Sequence, residues 1–478
     1  MRIPTRLTRF GWWLVGLTVL AIVLRLAFAL GLGKPITAPG DAAEFREVAK
    51  NLADGRGYSL EFFNEGMQPT AQHPPLFPLL LAALDVIGLG ALTAQRIVLA
   101  FVASLSVPLM GVLGRRLKNP AVGLGSAAIA AVHPLWVQPS GVVMSESIYL
   151  VLIPAALYVA MRCLDEPRRR WFALLGVVIG AAVLTRSEAA ALLVLLGVPT
   201  VWLATTKRRA RLQAGAIMVF ALLVTIGPWL IRNHQEIGAA KLSTNTGNTL
   251  IGAYCNTTFE RGPYYGAYFV ACPFAATGIL IDSPPPDGAT SWTPVALDDA
   301  LTSKSVDFAR ANVPELPAIA AVHALRVWGF WDPPFQMEYD VLEGRDAVWQ
   351  RVGWGVHYLL LLFALVWLVE VPRRERRRWT PLLAPVLLVT LIAIVFYGST
   401  RLRVMAEPSV ALAAAAGVGV VVERWKRYRD LGTVDVNDSR RVLAAAGESN
   451  RQDTVSPPLV ARGQAAVAVR TTAVADQS

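Results

Sequence analysis

The stretch RRRWFALLGVVIGAAVLTRSEAAALLVLLGVPTVWLATTKRRAR, residues 168–211, decides the fold class. It holds two apolar runs, 171–184 and 189–204, separated by a short charged turn and bounded at both far ends by arginine and lysine clusters. Apolar runs approaching 20 residues are of the length that crosses a bilayer core, and basic flanks mark the cytoplasmic side of such spans. The pair therefore reads as a membrane hairpin whose Arg186–Glu188 turn faces outward.

The same pattern repeats on both sides of this hairpin. Apolar runs at 10–32, 97–113, 121–137, 148–161, 214–231, 352–369, 382–396 and 406–422 alternate with basic clusters at 115–118, 373–378 and 424–429. The run at 10–32 is too long for a signal peptide and lacks a small-residue cleavage site, so it reads as a first span. Arg25 within it is expected to face protein or to reach outward. The segment 73–92 carries Asp85 and reads as shallow or re-entrant, because a full span there would put the 115–118 cluster outside; the alternative is a full span with an irregular return nearby. The sum is an all-α polytopic membrane protein with about 10 or 11 spans.

Composition agrees. Hydrophobic residues make up 54% and charged residues 17%, with a mean hydropathy of +0.46, against about 25% charged in soluble proteins. The net charge of +11 lies in short loop clusters rather than along one polar face, so it orients the chain in the bilayer and implies no nucleic acid partner. There is no glycine-rich nucleotide loop, which argues against a nucleotide-driven pump. Of three cysteines, Cys255 and Cys272 fall in a segment expected outside and are expected to be bridged, whereas Cys163 is expected to be free.

Four regions follow. Residues 1–231 form an N-terminal transmembrane module with a first exterior loop at 33–72, in which an amphipathic helix starts at Asp41. Residues 232–350 form a small extracytoplasmic loop domain, 351–428 the C-terminal spans, and 429–478 a disordered cytoplasmic tail. Both termini are expected in the cytoplasm.

The outer ends of the spans collect ionisable residues: Asp41 and Glu44, Glu146, Arg186 with Glu188, Arg232 with Asn233, and Arg401 with Arg403. Ionisable groups at this depth are candidates for function. Two accounts hold for Asp41 and Glu44. They match the D-x-x-E capping box of a helix start, and they place carboxylates where a base must take a proton from an acceptor while a lipid donor stays anchored. Glu146 is either a solvated loop residue or a second carboxylate facing Asp41, as metal ligand, sugar-hydroxyl acceptor or tuner of the base. An Arg186–Glu188 surface pair would be worth little by itself. Arg186, Arg401 and Arg403 oppose the charge bias of the other loops, and guanidinium binds phosphate oxygens in a bidentate fashion, which points to a lipid phosphate or diphosphate. His73, beside two prolines, is open to three roles: metal ligand, substrate contact or helix cap. No residue pattern requires a cofactor, and a divalent metal is compatible with the acids.

The stretches GDAAEFREVAKNLADGRGY and PTAQHPPLFPLLLA, then SESIYLVL, LTRSE, GPWLIRNHQEIGAAKLSTNTGNTLIGA and YGSTRLRVMAEP resemble the glycosyltransferase C superfamily. Within it, they are similar to the family 39-type proteins related to protein O-mannosyltransferases, lipid A aminoarabinose transferases and Rgt-like transferases. The resemblance implies a cell-membrane glycosyltransferase. It would carry a catalytic acid of the first exterior loop at Asp41 and a second acid at Glu146, and transfer sugar with inversion from a polyprenyl-phosphate donor to an envelope acceptor. Non-enzymatic lipid or glycan transport and O-antigen polymerase or ligase chemistry are the alternatives. Transport is less favoured because most charges gather at the outer ends and do not form a path through the bilayer, and the early acidic loop with its exterior helix favours the transferase over a polymerase or ligase.

Overall fold

The computed structural model describes residues 8–32, 40–62, 66–283, 285, 291–342 and 345–449. Among the described residues, eight helices are long and apolar enough to cross a membrane: Arg9–Gly31, Leu92–Leu117, Glu146–Asp165, Ser187–Ala204, Arg208–Ile237, Ala347–Glu370, Arg376–Val395 and Glu407–Arg429. Two further expected spans are the helices Pro120–Val132 and Arg169–Val183, of 13 and 15 residues. At 1.5 Å per residue these cover about 20 Å, short of a core of about 30 Å.

Both short helices pack closely on longer neighbours through glycine. A Cβ at Gly123 would lie 2.5 Å from the Gly111 carbonyl, and one at Gly176 would lie 2.1 Å from that of Met218. Small residues are what allow helix backbones to approach where lipid tails are as apolar as leucine. Arg25 is fully buried, and its guanidinium donates to the carbonyls of Ala130 and Ala131, so it faces protein.

The segment after Pro75 forms the 11-residue helix Leu76–Val86, about half a membrane thickness long, packed on the amphipathic helix Asp41–Ala53. Asp85 accepts a hydrogen bond from Gln95 at 2.9 Å. A short antiparallel hairpin, Ser59–Glu61 with Met67–Pro69, pairs Leu60 with Gln68.

Residues beyond Ile237 build a helical layer from Thr246–Ala253, Ala271–Ile281, Pro294–Ala311, Leu316–Val327 and Pro333–Leu342. Ile251, Trp292, Leu297 and Leu301 form a core of its own, and Cys255 is bonded to Cys272. Cys163 is free and buried. Bonds from Tyr254 to the Val395 carbonyl and from Trp328 to Thr390 fasten the layer to the spanning helices.

The last helix, Glu407–Ser449, continues past residue 429, where the sequence reading begins a disordered tail. Within that extension Leu431, Arg440, Arg441, Leu443 and the alanines at 444–446 are good helix formers. The chain divides at this helix into a compact unit through Val420 and a second unit from Val421. Residues 450–478 lie outside the described residues.

Candidate active site

Asp41 is the first residue of its helix, after Gly40, and no side chain caps the helix. The Glu44 amide donates to the Gly40 carbonyl, so the capping box is not formed and both carboxylates are directed elsewhere. Asp41 meets Arg401 Nη2 at 2.7 Å. Glu44 accepts from Gln72 at 3.2 Å and lies 2.7 Å from His73 Nε2.

Arg401 comes from a tight turn between two spanning helices, 360 residues along the chain from Asp41. Its Nε donates to Glu146, which begins the helix Glu146–Asp165 and is only 4% exposed. Glu146 also pairs with Arg186 at 3.3 Å, and Arg186 pairs with Glu188 at 2.5 Å. Four segments far apart in sequence thus converge through alternating charges, Asp41, Arg401, Glu146, Arg186 and Glu188. Burial raises the Asp41 carboxyl, but Arg401, with His73 and Arg186 behind it, outweighs this and holds it well below the usual carboxylate range.

The chain of charges borders a cavity of about 1130 Å³, lined on its polar side by Asp41, Glu44, His73, Arg186, Glu188 and Arg401. Another part of the wall is apolar: Val270, Pro273 and Phe274 from the added layer, with Ile392 and Phe396 from the end of a spanning helix. Asp41, Glu44 and His73 each offer one ligand atom within 4.8 Å of the others. Two carboxylates and an imidazole are a donor set that suits zinc or manganese.

Three sequence candidates serve other ends. Arg232 donates to the carbonyls of Thr70 and Tyr58, at 2.6 and 2.7 Å, and its neighbour Asn233 is fully buried and donates to the Lys241 carbonyl. Together they tie the end of a long helix to the hairpin and to the following loop, and neither lines the cavity. Arg403 turns into the bundle, where it is 1% exposed and donates to Glu407 Oε1 at 2.8 Å, with His357 Nδ1 3.1 Å from the same oxygen. A guanidinium at a helix end satisfies backbone carbonyls or a buried acid as readily as a phosphate, and sequence position alone does not tell these partners apart.

Sequence reading also missed Asp340. Fully buried, it accepts from Thr400 at 2.5 Å, Gln336 at 2.9 Å, Arg345 at 3.2 Å and from Gln350, and so fixes the turn that presents Arg401. No motif surrounds Asp340; the one signal was an acid flanked by apolar residues in an otherwise solvated loop.

At the other end of the 20-residue helix that Glu146 begins, about 30 Å away, Asp165 binds Arg116 at 2.8 Å and Arg378 at 2.6 Å. The basic loops thus gather at the end opposite the carboxylates.

Fold and site define a polytopic helical membrane protein with an acid–guanidinium centre at one end of its bundle. Residues 72–231, about a third of the chain, match the family model of dolichyl-phosphate-mannose-protein mannosyltransferases. No curated protein matches the sequence. Among solved structures, the archaeal oligosaccharyltransferase from Archaeoglobus fulgidus, in complex with an inhibitory peptide and a dolichol-phosphate, is 12% identical with a TM-score of 0.48. The match covers 88% of this chain and 52% of that one, so the chain spans about half the length of that relative. ArnT from Cupriavidus metallidurans, bound to undecaprenyl phosphate, is 16% identical, with 86% and 78% covered and a TM-score of 0.40. The S. cerevisiae protein O-mannosyltransferase complex, bound to the sugar donor, is 18% identical, with 55% and 38% covered and a TM-score of 0.39.

Proposed function

We propose that this protein is an inverting glycosyltransferase that moves a sugar from a polyprenyl-phosphate donor to a hydroxyl acceptor on the extracytoplasmic side. The observation that carries the reading is the bridge of Arg401 between Asp41 and Glu146 in the wall of a large cavity with one polar and one apolar side. Such a cavity suits a ligand that is part headgroup and part isoprenoid. The clustering of basic loops at the far end supports an extracytoplasmic site with cytoplasmic termini, since positive loops stay inside.

Asp41 takes the proton of the acceptor hydroxyl as its oxygen bonds to the anomeric carbon. The bond from that carbon to the phosphate oxygen breaks, and its electron pair leaves with the phosphate, whose charge Arg401 meets. A carboxylate held low by a guanidinium is a weak base. The donor phosphate draws Arg401 away from Asp41, and this exchange restores the basicity of Asp41 once donor is bound. Glu146, whose Oε1 also meets Arg186, holds the Nε edge of Arg401 while Nη2 changes partner. Asp41, Glu44 and His73 would hold a divalent ion, which supplies positive charge for phosphate oxygens when bound.

The test is transfer by purified protein in proteoliposomes, with radiolabelled polyprenyl-phosphate sugars and an envelope extract. Asp41→Asn is expected to lower turnover by about 10²- to 10⁴-fold while the protein stays folded. Near-normal turnover removes Asp41 from the mechanism.

A further inference from the structure

Residues 243–249 read Ser-Thr-Asn-Thr-Gly-Asn-Thr, a run of short hydroxyl and amide side chains that the mechanism above does not use. The run is stitched beside the acids. The Thr244 amide donates to the Ala71 carbonyl at 2.8 Å and Ser243 Oγ donates to the Gln72 carbonyl at 2.7 Å, while the side chains of Gln72 and His73 meet Glu44 on the helix that Asp41 begins.

The helix Thr246–Ala253 starts within this run, and the Gly247 amide donates to the Asp298 carboxylate at 2.7 Å. That helix start already holds an anion, so it is no seat for a phosphate. What the run offers the cavity is neutral: Thr244, Asn245, Thr246 and Asn248 all line it. Thr244 is 5% exposed, and its Oγ1, like Asn245 Oδ1, is buried without a hydrogen-bond partner. Buried oxygens in that state call for a donor from a ligand.

The same helix also carries an aromatic surface. A Cβ at Gly252 would lie 2.2 Å from the Tyr268 ring, so glycine there lets the ring lie flat on the helix. Tyr268 in turn packs against Tyr397 with ring centroids 5.2 Å apart, and both rings line the cavity. A pyranose presents hydroxyls around its edge and C–H groups on its faces, which match amide and hydroxyl groups on one hand and aromatic faces on the other. Four of the acids that line the cavity are paired: Glu44 with His73, Asp41 with Arg401, Glu188 with Arg186, and Asp298 with Lys241.

We propose that Thr244, Asn245 and Asn248, together with Tyr268, form the subsite for the sugar ring of the donor, and that this sugar is neutral and hydroxyl-rich. The assignment rests on the reading of the chain as a lipid-phosphate-dependent transferase. It is tested by titrating the full chain in nanodiscs with bare polyprenyl phosphate and with polyprenyl-phosphate derivatives of mannose, an amino sugar and a uronic acid. The mannose lipid is expected to bind about tenfold more tightly than the bare phosphate, the worth of one or two net hydrogen bonds. In the Thr244→Val, Asn248→Ala double variant that advantage is expected to fall to about twofold or less, with the affinity for bare phosphate unchanged as evidence of an intact fold. Thr244→Ser with native Asn248 is expected to keep the advantage. A double variant that retains it, or tighter binding of the amino or acidic sugar, overturns the subsite. Failure of every lipid to bind, the bare phosphate included, overturns the donor reading and the subsite with it.

Discussion

Asp41 and Arg401 pair at 2.7 Å with most of the guanidinium withdrawn from water, so each depends on the other for charge compensation. The folded-state carboxyl lies below its unfolded value of about 3.9. The sign of the resulting pH dependence is fixed: the pair's contribution to stability is fully present above the unfolded value and is lost as pH falls through the lower folded one. Thermal melts in detergent should therefore show a wild-type advantage over Asp41→Asn that is constant from about pH 5 to 8 and shrinks below about pH 4. An advantage that grows on acidification would mean that the pair does not hold the carboxylate ionised. In the sequence Arg186, Arg401 and Arg403 stand out because positive charge on a short outer turn opposes the bias of the other loops, and Asp41 and Glu146 because ionisable groups are rare at the ends of spans. The ion pairs that join Asp41, Glu146, Arg186 and Arg401, and the carbonyls and buried acid that hold Arg232, Asn233 and Arg403, are partners that only the folded chain brings within reach.

Among elements, the long apolar helices were plain from hydropathy, since a bilayer core accepts few other sequences. The hairpin Ser59–Glu61 with Met67–Pro69 was not, because three-residue strands leave too short an alternation to recognise. Helix spacing in the bundle rests on small residues, and this makes a contrast inside one helix. A Cβ at Gly417 would lie 1.9 Å from the Phe363 carbonyl, whereas one at Gly419 meets nothing within 4 Å. Gly417→Ala is expected to destabilise by about 1–3 kcal/mol as the two helices are forced apart. Gly419→Ala should be neutral or stabilising by up to about 1 kcal/mol, from helix propensity alone. Unfolding in detergent by thermal or denaturant titration compares them, and equal effects would mean that the Gly417 contact is not a close one.

For the whole molecule, the far separation of carboxylates and basic loops gives the bundle two chemically different ends. The helical layer beyond Ile237 lines the cavity at the carboxylate end with apolar and neutral polar side chains and with Asp282 and Asp298. The lack of long apolar runs marks this region in sequence, but its packing on the spanning helices leaves no such mark, since it uses single hydrogen bonds such as Tyr254 to the Val395 carbonyl. The central claim is that Arg401, lodged between two acids, is the group that receives the donor's phosphate. Titration of wild type and Arg401→Gln with polyprenyl phosphate in nanodiscs tests this most directly. The account predicts a loss of affinity of at least about tenfold in the variant, the scale of one charge-assisted hydrogen bond. An affinity equal to wild type, in a variant that still folds, would contradict it.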